Sequence, residues 1–294
     1  MNIFWQKRVE RIAPLFILFL IGANILSWIT VFYLRDDSLK VVFFDVGQGD
    51  SIFIETPQKH QILIDGGPSP KIILEKLGRE MPFYDRSIDL LVLTHPESDH
   101  LRGLLEVLKY YKVDYVLYTG IKKDTLVDKE WESILKEKRS HIVFAKEGKE
   151  FISGKTKLIV IYPFEKLSPI VYKKNVNDTS IVTLLNHRNV SFLFTGDISK
   201  STEEKIVERE RIESDVLKVA HHGSKTSSFD IFLEKANPKI AVISTGKNNK
   251  YGHPNKEVLE RLAKYKIKVF RTDRVGDIIM KTKGFEISVK NDKI

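Results

Sequence analysis

The sequence contains no cysteine. This absence excludes disulfide bonds and thiolate metal sites, so any metal ion must be bound by histidine, aspartate or glutamate. The other proportions are ordinary, since 42% of the 294 residues are hydrophobic and 30% are charged. That balance excludes a disordered chain, and the length is sufficient to bury a substantial core.

Apolar runs long enough to cross a membrane are absent, with one exception at the N-terminus. Residues 12–34 carry no charge, and about 20 apolar residues suffice to span the hydrocarbon core of a bilayer. Three basic residues lie between positions 7 and 11, and two aspartates follow the run at positions 36 and 37. Because positive charge favours the cytoplasmic side, the N-terminus is predicted to lie in the cytoplasm.

The chain is therefore predicted to be a single-pass protein of the cell membrane with two parts. Residues 1–35 form a cytoplasmic stub and membrane anchor, and residues 36–294 form an extracellular domain. A cleaved signal peptide is the alternative, but the apolar run is long for one and shows no convincing small-x-small cleavage site.

Positive charge exceeds negative charge, with a formal net charge of +9. The first 35 residues contribute +3, from four basic residues and one acidic residue, which leaves +6 on the extracellular part. A basic exported domain attracts polyanions such as DNA, teichoic acids or lipid headgroups. A lysine-rich surface that serves solubility alone explains the same excess equally well.

Beyond the anchor, short β-branched and aromatic runs alternate with amphipathic segments in two halves of similar rhythm. This pattern predicts two mixed sheets packed face to face with helices outside, an α/β fold. Residues 146–177 read as lysine-rich and irregular apart from one strand. The predicted strands are 39–46, 51–56, 60–67, 88–94, 114–119, 141–145, 158–163, 180–185, 190–197, 215–220, 239–245 and 268–273, and the predicted helices are 70–79, 99–110, 127–138, 199–210, 228–235 and 255–264.

Three apolar runs end in histidine or aspartate: "LLVLTHPESDH" (90–100), "SFLFTGD" (191–197) and "VLKVAHHGS" (216–224). Strand ends of stacked sheets lie along a common edge, so these side chains can meet although they are distant in sequence. Imidazole and carboxylate ligands suit Zn²⁺, or Mn²⁺ and Fe²⁺ as the share of oxygen rises. A single histidine at a strand end is usually a turn residue, but four acidic or imidazole groups within six residues need a cation to offset their repulsion. The candidate ligands are His95, Glu97, Asp99, His100, Asp197, His221 and His222.

The first of these motifs resembles the H-x-H-x-D-H signature of the metallo-β-lactamase superfamily. More narrowly, "FFDVGQGDSIFI", "ILIDGG", "LTHPESDH", "FLFTGDI", "DVLKVAHHGSKTSS" and "KYGHP…RTDRVGDI" resemble, in the same order, the hydrolase domain of the ComEC family of DNA-uptake proteins. The resemblance covers residues 39–285. It implies an αββα sandwich with a hydrolytic centre of one or two divalent ions at one sheet edge.

The resemblance also implies a role for each motif residue. His95 would bind the first ion, Asp99 and His100 the second, and Asp197 both. His222 or His221 would be the last ligand, and Asp65 would orient the ligand loop through hydrogen bonds.

Two positions depart from the superfamily pattern. Glu97 stands where the second histidine is usual, and the third ligand motif has no histidine, which leaves Asp178 as the positional candidate. We therefore expect an oxygen-rich centre that binds Zn²⁺ or Mn²⁺ as one or two ions.

Several polar residues near these motifs are candidates for substrate contacts. The loop "DVGQGDS" (45–51) either brings Asp50 or Ser51 to the site or is a plain turn. His253 is a candidate phosphate donor or general acid, and Tyr251 is placed to stack on a base. The predicted substrate-binding residues are Ser224, Lys225, Thr226, Lys250 and Tyr251.

These residues favour metal-assisted hydrolysis of a phosphodiester, with Asp99 or Asp197 orienting the attacking water. The leading interpretation is a membrane-anchored nuclease that acts on single- or double-stranded DNA during uptake. Because only one spanning helix is predicted, either a separate polytopic channel protein is its partner or the enzyme acts elsewhere. One alternative is a hydrolase of cell-wall phosphodiesters such as phosphorylcholine esters. The other is a DNA-binding module whose weakened metal site does not cut.

Overall fold

A computed structural model describes residues 3–34, 37–167 and 175–291. The chain divides into two compact units, Met1–Asp37 and Ser38–Ile294. The first unit is formed by helix α1 (Ile3–Leu34). Its window Ala13–Thr30 has a mean hydropathy of 1.9 and is long and apolar enough to cross a membrane. This confirms the prediction of one candidate membrane span at the N-terminus.

The second unit contains two mixed β-sheets. The first sheet has eight strands in the order β15-β14-β1-β2-β3-β4-β5-β6, and β3 to β6 run parallel. Its strands are β1 (Leu39–Phe43), β2 (Ile52–Glu55), β3 (Gln61–Ile64), β4 (Ser87–Val92), β5 (Lys112–Tyr118), β6 (His141–Phe144), β14 (Ile278–Thr282) and β15 (Ile287–Asn291).

The second sheet has seven strands in the order β13-β12-β11-β10-β9-β8-β7, and β10 to β13 run parallel. Its strands are β7 (Glu150–Ser153), β8 (Thr156–Tyr162), β9 (Val182–His187), β10 (Val190–Phe194), β11 (Val216–Lys218), β12 (Ile240–Ile243) and β13 (Lys268–Arg271). Tight turns of 3-10 type cover Val176–Thr179 and Ala220–Gly223.

Helices pack on the outer face of each sheet. Three of them, α2 (Pro70–Glu80), α3 (Ser98–Tyr110) and α4 (Leu126–Lys138), share a core with the first sheet. Three others, α5 (Lys200–Arg209), α6 (Asp230–Ala236) and α7 (Lys256–Lys264), share a core with the second sheet. The short helix α8 (Thr272–Val275) follows β13. These layers confirm the predicted αββα sandwich.

The space between the sheets is filled by large apolar side chains. Phe43 of the first sheet lies 6.1 Å from Phe194 of the second, measured between ring centroids. Neighbouring strand positions alternate between this inner core and the outer, helix-covered cores, so Val42 faces helices while Phe43 faces the other sheet. Each fully buried side chain of this size contributes about 1.5–3 kcal/mol. Burial on both faces explains why the strands read as continuous apolar runs.

The structure corrects the sequence-based prediction at two places. Residues 146–177 were predicted to be irregular with one strand, but they contain the antiparallel pair β7 and β8, in which Ser153 pairs with Thr156. Lysines on this edge of the sheet obscure the alternation of apolar and polar residues. The strand predicted over 268–273 ends at Arg271, where α8 begins. Part of the segment predicted as irregular, residues 168–174, lies outside the described residues.

Close contact between α3 and the loop after β3 fixes the start of the ligand loop. The Gly103 nitrogen donates to the Gly67 carbonyl at 2.9 Å, and the Gly66 nitrogen donates to the His100 carbonyl at 2.8 Å. A Cβ atom on Gly103 would lie 1.9 Å from the Gly66 carbonyl oxygen. Only glycine permits this approach, which holds the first turn of α3 against the loop.

We expect Gly103→Ala to lower the free energy of unfolding by at least about 3 kcal/mol, because the new methyl group forces helix and loop apart. Gly78→Ala is the matched control, because it also lies in a helix but a Cβ there would meet nothing within 4 Å. That change should be neutral or stabilise by about 0.5–1 kcal/mol through helix propensity. Urea denaturation of both variants measures the difference, and equal effects would contradict the packing argument.

Candidate metal centre

Five side chains from four strand or helix ends converge at one edge of the sandwich. His95 follows β4, Asp99 and His100 open α3, Asp197 follows β10, and His222 follows β11. One oxygen of Asp197, Oδ2, lies 3.4 Å from His100 Nε2 and 3.2 Å from His222 Nε2. Asp99 Oδ2 lies 3.4 Å from the same His222 nitrogen. The sheet topology therefore brings together two imidazoles and two carboxylates that lie up to 123 positions apart in the sequence.

Each imidazole is oriented by a hydrogen bond from its other nitrogen. His100 Nδ1 donates to Asp65 Oδ2 at 2.8 Å, and His222 Nδ1 donates to the Ser244 carbonyl at 3.0 Å. Thr94 Oγ1 donates a hydrogen bond to Asp65 Oδ2 at 2.6 Å, so it accepts one from His95 Nδ1 at 3.0 Å. With Nδ1 protonated, all three rings direct Nε2 into the centre, and each Nε2 offers a lone pair once it carries no proton.

These inward-facing nitrogens test whether the centre suits a metal ion. The Nε2 atoms of His95, His100 and His222 are buried and have no hydrogen-bond partner. A buried polar atom without a partner costs about 1–3 kcal/mol. The donor sets His95–His100–Asp197 and Asp99–His100–His222 each have ligand atoms within 4.8 Å of one another. Imidazole nitrogens and carboxylate oxygens at this spacing fit a divalent transition metal.

Asp65 supports the ligand loop and does not face the cavity. Its side chain is fully buried, and it accepts hydrogen bonds from the Thr94 backbone nitrogen and hydroxyl as well as from His100. Its backbone φ of 57° is in the left-handed region, which aspartate tolerates better than most residues. Asp65 thus contacts Thr94 and His100 from the side away from the cavity, and the orienting role that the resemblance implied for it stays a prediction.

The two adjacent histidines differ sharply in position. Both have left-handed backbones, with φ of 50° at His221 and 55° at His222, a strained conformation for imidazole side chains. This turn directs His222 to Asp197, whereas His221 Nε2 lies 3.2 Å from the Asn177 amide nitrogen at the cavity wall. Of the two alternatives that the sequence left open, the geometry brings His222 to the ligand cluster.

Charges around the centre shift the pKa values of its members. Burial lowers the pKa of His95 to about 3, and the neighbouring His100 charge adds to this effect. Burial also lowers the pKa of His100, but the Asp197 and Asp65 carboxylates more than offset it and raise that pKa well above its ordinary value. Burial raises the pKa of Asp197, yet His222 and His100 hold it well below its ordinary value. The Asp197 carboxylate is therefore ionised at pH 7 and can bind a cation.

The structure does not bring Glu97 or Asp178 to the ligand cluster. Both Glu97 oxygens accept from Lys123 Nζ at 2.7 Å. Asp178 Oδ1 accepts from the Ser199 nitrogen at 3.0 Å and from its hydroxyl at 2.6 Å, so it fixes the start of α5. Among the residues that the structure describes, neither joins a set of convergent ligand atoms. An ion pair and a helix-capping role occupy these two carboxylates instead.

Sequence reasoning missed Lys218, a fully buried cation at the centre. Its side chain has no exposure, and its Nζ contacts Asp50, the Gly196 carbonyl and Asp197. Asp50, in turn, is 1% exposed and lies 3.4 Å from His222 Nδ1. The sequence does contain a signal for this residue, because a lysine inside the apolar strand "VLKVA" is unusual unless it pairs with a buried anion.

A cavity of about 250 Å³ opens onto the centre. Tyr251 is exposed and lies beside His253, whose ring stands 5.8 Å from that of His221. Burial lowers the pKa of His253 to about 4, helped by the charges of His222 and His221, so the ring is neutral at pH 7. The lining residues among those described are Gln48, Glu97, Asp99, Asn175, Asn177, Asp197, His221, His222, Tyr251 and His253. The other predicted substrate contacts, Ser224, Lys225, Thr226 and Lys250, lie outside this lining.

The sequence profile of the metallo-beta-lactamase superfamily matches residues 44–247, so the chain belongs to this superfamily of metal-dependent hydrolases. The chain is 34% identical to ComE operon protein 3 of Bacillus subtilis over 257 residues, which cover 81% of this chain and 32% of that protein. This match confirms the resemblance to ComEC-type proteins, and the chain spans about a third of that relative's length.

Two further similarities concern shorter or more distant proteins. Exodeoxyribonuclease WalJ of Streptococcus pneumoniae is 28% identical over 160 residues, which cover 52% of this chain and 55% of that protein. The solved structure of the metallo-beta-lactamase fold protein YhfI from Bacillus subtilis superposes with a TM-score of 0.57 at 12% identity, covering 84% of this chain and all of that one. The structural likeness supports the fold.

We expect Asp99→Asn to weaken Mn²⁺ or Zn²⁺ binding at least about 10-fold, because the ion loses an anionic ligand. Glu97→Gln should change the dissociation constant by less than about 2-fold, because Glu97 is engaged with Lys123 and does not face the ligand cluster. Competition with a fluorescent chelator measures both. A loss of affinity in Glu97→Gln as large as that in Asp99→Asn would show that Glu97 turns inward to bind metal.

Proposed function

We propose that this chain is a membrane-anchored, metal-dependent phosphodiesterase that acts on DNA outside the cytoplasm. The convergence of Asp99, His100, Asp197 and His222 at the floor of a polar cavity carries the proposal. The likeness to an exodeoxyribonuclease, so named, favours DNA over other phosphodiesters. Residues 36–294 carry a net charge of +6, the total of +9 less the +3 on residues 1–35, and this favours an anionic substrate.

Asp99, His100, Asp197 and His222 would hold a divalent ion, Zn²⁺ or Mn²⁺. When bound, the ion supplies Lewis acidity and lowers the pKa of water from near 16 to about 7. Asp99 is the ligand nearest to solvent, with 31% of its side chain exposed. Its carboxylate only accepts hydrogen bonds, so it would orient the attacking water by accepting a hydrogen bond from it.

The cavity wall supplies the substrate contacts. The neutral His253 ring offers an N–H to a phosphoryl or leaving oxygen, and Tyr251 offers an aromatic face to a base. Stacking of one base on an aromatic side chain contributes about 1–3 kcal/mol. A cavity of about 250 Å³ is at the small end for ligand sites, which suits one nucleotide of a single strand or of a strand end. A separate polytopic channel protein is the partner we propose for DNA passage.

We expect the full-length chain in detergent, loaded with Mn²⁺ or Zn²⁺, to cleave labelled single-stranded DNA. Asp197→Asn should lower the rate at least about 100-fold, because it removes the carboxylate shared by His100 and His222. Asp114→Asn is the control and should retain full activity, because that carboxylate pairs with the exposed Lys112 at the start of β5. A gel-based cleavage assay measures each rate.

Other outcomes of this assay distinguish the alternatives. Hydrolysis of p-nitrophenyl phosphorylcholine without DNA cleavage would favour a cell-wall substrate. Salt-sensitive binding of oligonucleotides without cleavage of either substrate would favour a binding module.

The absence of cysteine allows a direct test of orientation. In intact cells, Ser133→Cys on the exposed face of α4 should react with a membrane-impermeant maleimide, because the domain is proposed to lie outside. Asn2→Cys, on the other side of the apolar run, should react only after the cells are opened. The reverse labelling pattern would contradict the proposed location.

A further inference from the structure

Lys218 is the one lysine with a buried side chain among the residues whose burial the structure describes. Its ammonium contacts the Asp50 carboxylate, donates to the Gly196 carbonyl at 2.9 Å and lies 3.5 Å from Asp197 Oδ1. An ammonium has three N–H donors, and three oxygens surround this one. Because its side chain has 0% exposure, it does not reach a substrate in the cavity. Lys218 can act only through the two carboxylates.

The two carboxylate oxygens of Asp197 face different cationic groups. Oδ2 faces the imidazoles of His100 and His222 at 3.4 and 3.2 Å. Oδ1 faces Lys218, which also neutralises Asp50. The space between Asp50 and Asp197, where two buried carboxylates would otherwise attract a metal ion, is therefore filled by the ammonium group.

The donors left over are too few for a second ion. His95 retains a free Nε2, but the Glu97 carboxylate that follows it in the motif is bound to Lys123. The set that includes His95 shares His100 and Asp197 with the first ion, and one Nε2 lone pair binds a single metal. Zinc and similar ions usually require four ligands, of which at least three come from the protein.

We propose that Lys218 is a positioning residue that serves as the permanent second cation of the centre, which therefore takes up one divalent ion per chain. The inference rests on the proposed metal-dependent function, and it concerns the number of ions rather than the substrate. Lys218 holds Asp197 and Asp50 in place from behind, as a second ion would from the same position.

The test counts metal ions in the full-length chain in detergent. After removal of metal with a chelator, the protein is dialysed against Mn²⁺, and bound Mn²⁺ is measured by mass spectrometry and by electron paramagnetic resonance. We expect one uncoupled ion in the wild type. Lys218→Met should bind two ions with a magnetically coupled spectrum, because three oxygens that surround the ammonium become available: Asp50, Asp197 Oδ1 and the Gly196 carbonyl. Its melting temperature should also rise more with Mn²⁺ than that of the wild type.

Two control variants make the count specific. The double variant Lys218→Met/Asp50→Asn removes one cation and one anion, so it should fold and bind one ion. Lys40→Met removes another lysine from a carboxylate contact, its 2.7 Å pair with Glu80 near the start of β1, and should also bind one ion.

Each contrary result has a distinct meaning. Two ions in the wild type, one ion in Lys218→Met, or a Lys218→Met chain that stays unfolded at saturating Mn²⁺ would each overturn the role of Lys218. No bound ion in the wild type would instead contradict the metal-dependent function itself. DNA cleavage does not enter either decision.

Discussion

Burial of carboxylates is the constraint on which the rest of this structure depends. Asp50, Asp65 and Asp197 are each at most 3% exposed, and an isolated carboxylate in such surroundings carries a penalty of several kcal/mol. Every neighbouring feature reduces that penalty. Lys218 pairs with two of the three, and the imidazole and hydroxyl groups of the ligand loop donate to the third. The centre is a balanced set of charges in which a divalent ion completes the positive side.

The αββα architecture is what allows this balance to form at one place. Parallel strands direct their carboxyl ends to one edge, so β4, β10 and β11 deliver their trailing loops to the same region. The apolar core between the sheets holds those ends rigidly, with Phe43 and Phe194 in contact across the layers. Ligand loops on such a frame need little reorganisation to bind a cation.

The sequence predicted the sandwich, the anchor helix and the three strand ends, because apolar runs and terminal histidines are local patterns. It could not decide between His221 and His222, since that choice depends on two consecutive left-handed residues. Glu97 forms an ion pair with Lys123, 26 positions later in the sequence. The periodicity of apolar residues does not predict a pairing between such distant side chains. The β7–β8 pair was missed because a sheet edge tolerates the lysines that mark a loop elsewhere. The buried ion pair of Lys218 could have been predicted from the sequence, because a charged residue in a strand without polar neighbours indicates a buried partner of opposite charge.

The same features that prepare the centre for a cation lower the stability of the metal-free chain. Three buried Nε2 atoms lack partners, and the His221–His222 turn holds two strained backbones, each costing about 1–3 kcal/mol. A chain selected for stability alone would replace these groups with apolar ones. Their presence together in one cluster, behind a ligand loop ordered by Asp65, is what a binding site requires and a structural core does not. Binding a cation to the folded state alone then recovers part of this cost, in proportion to the logarithm of its concentration over its dissociation constant.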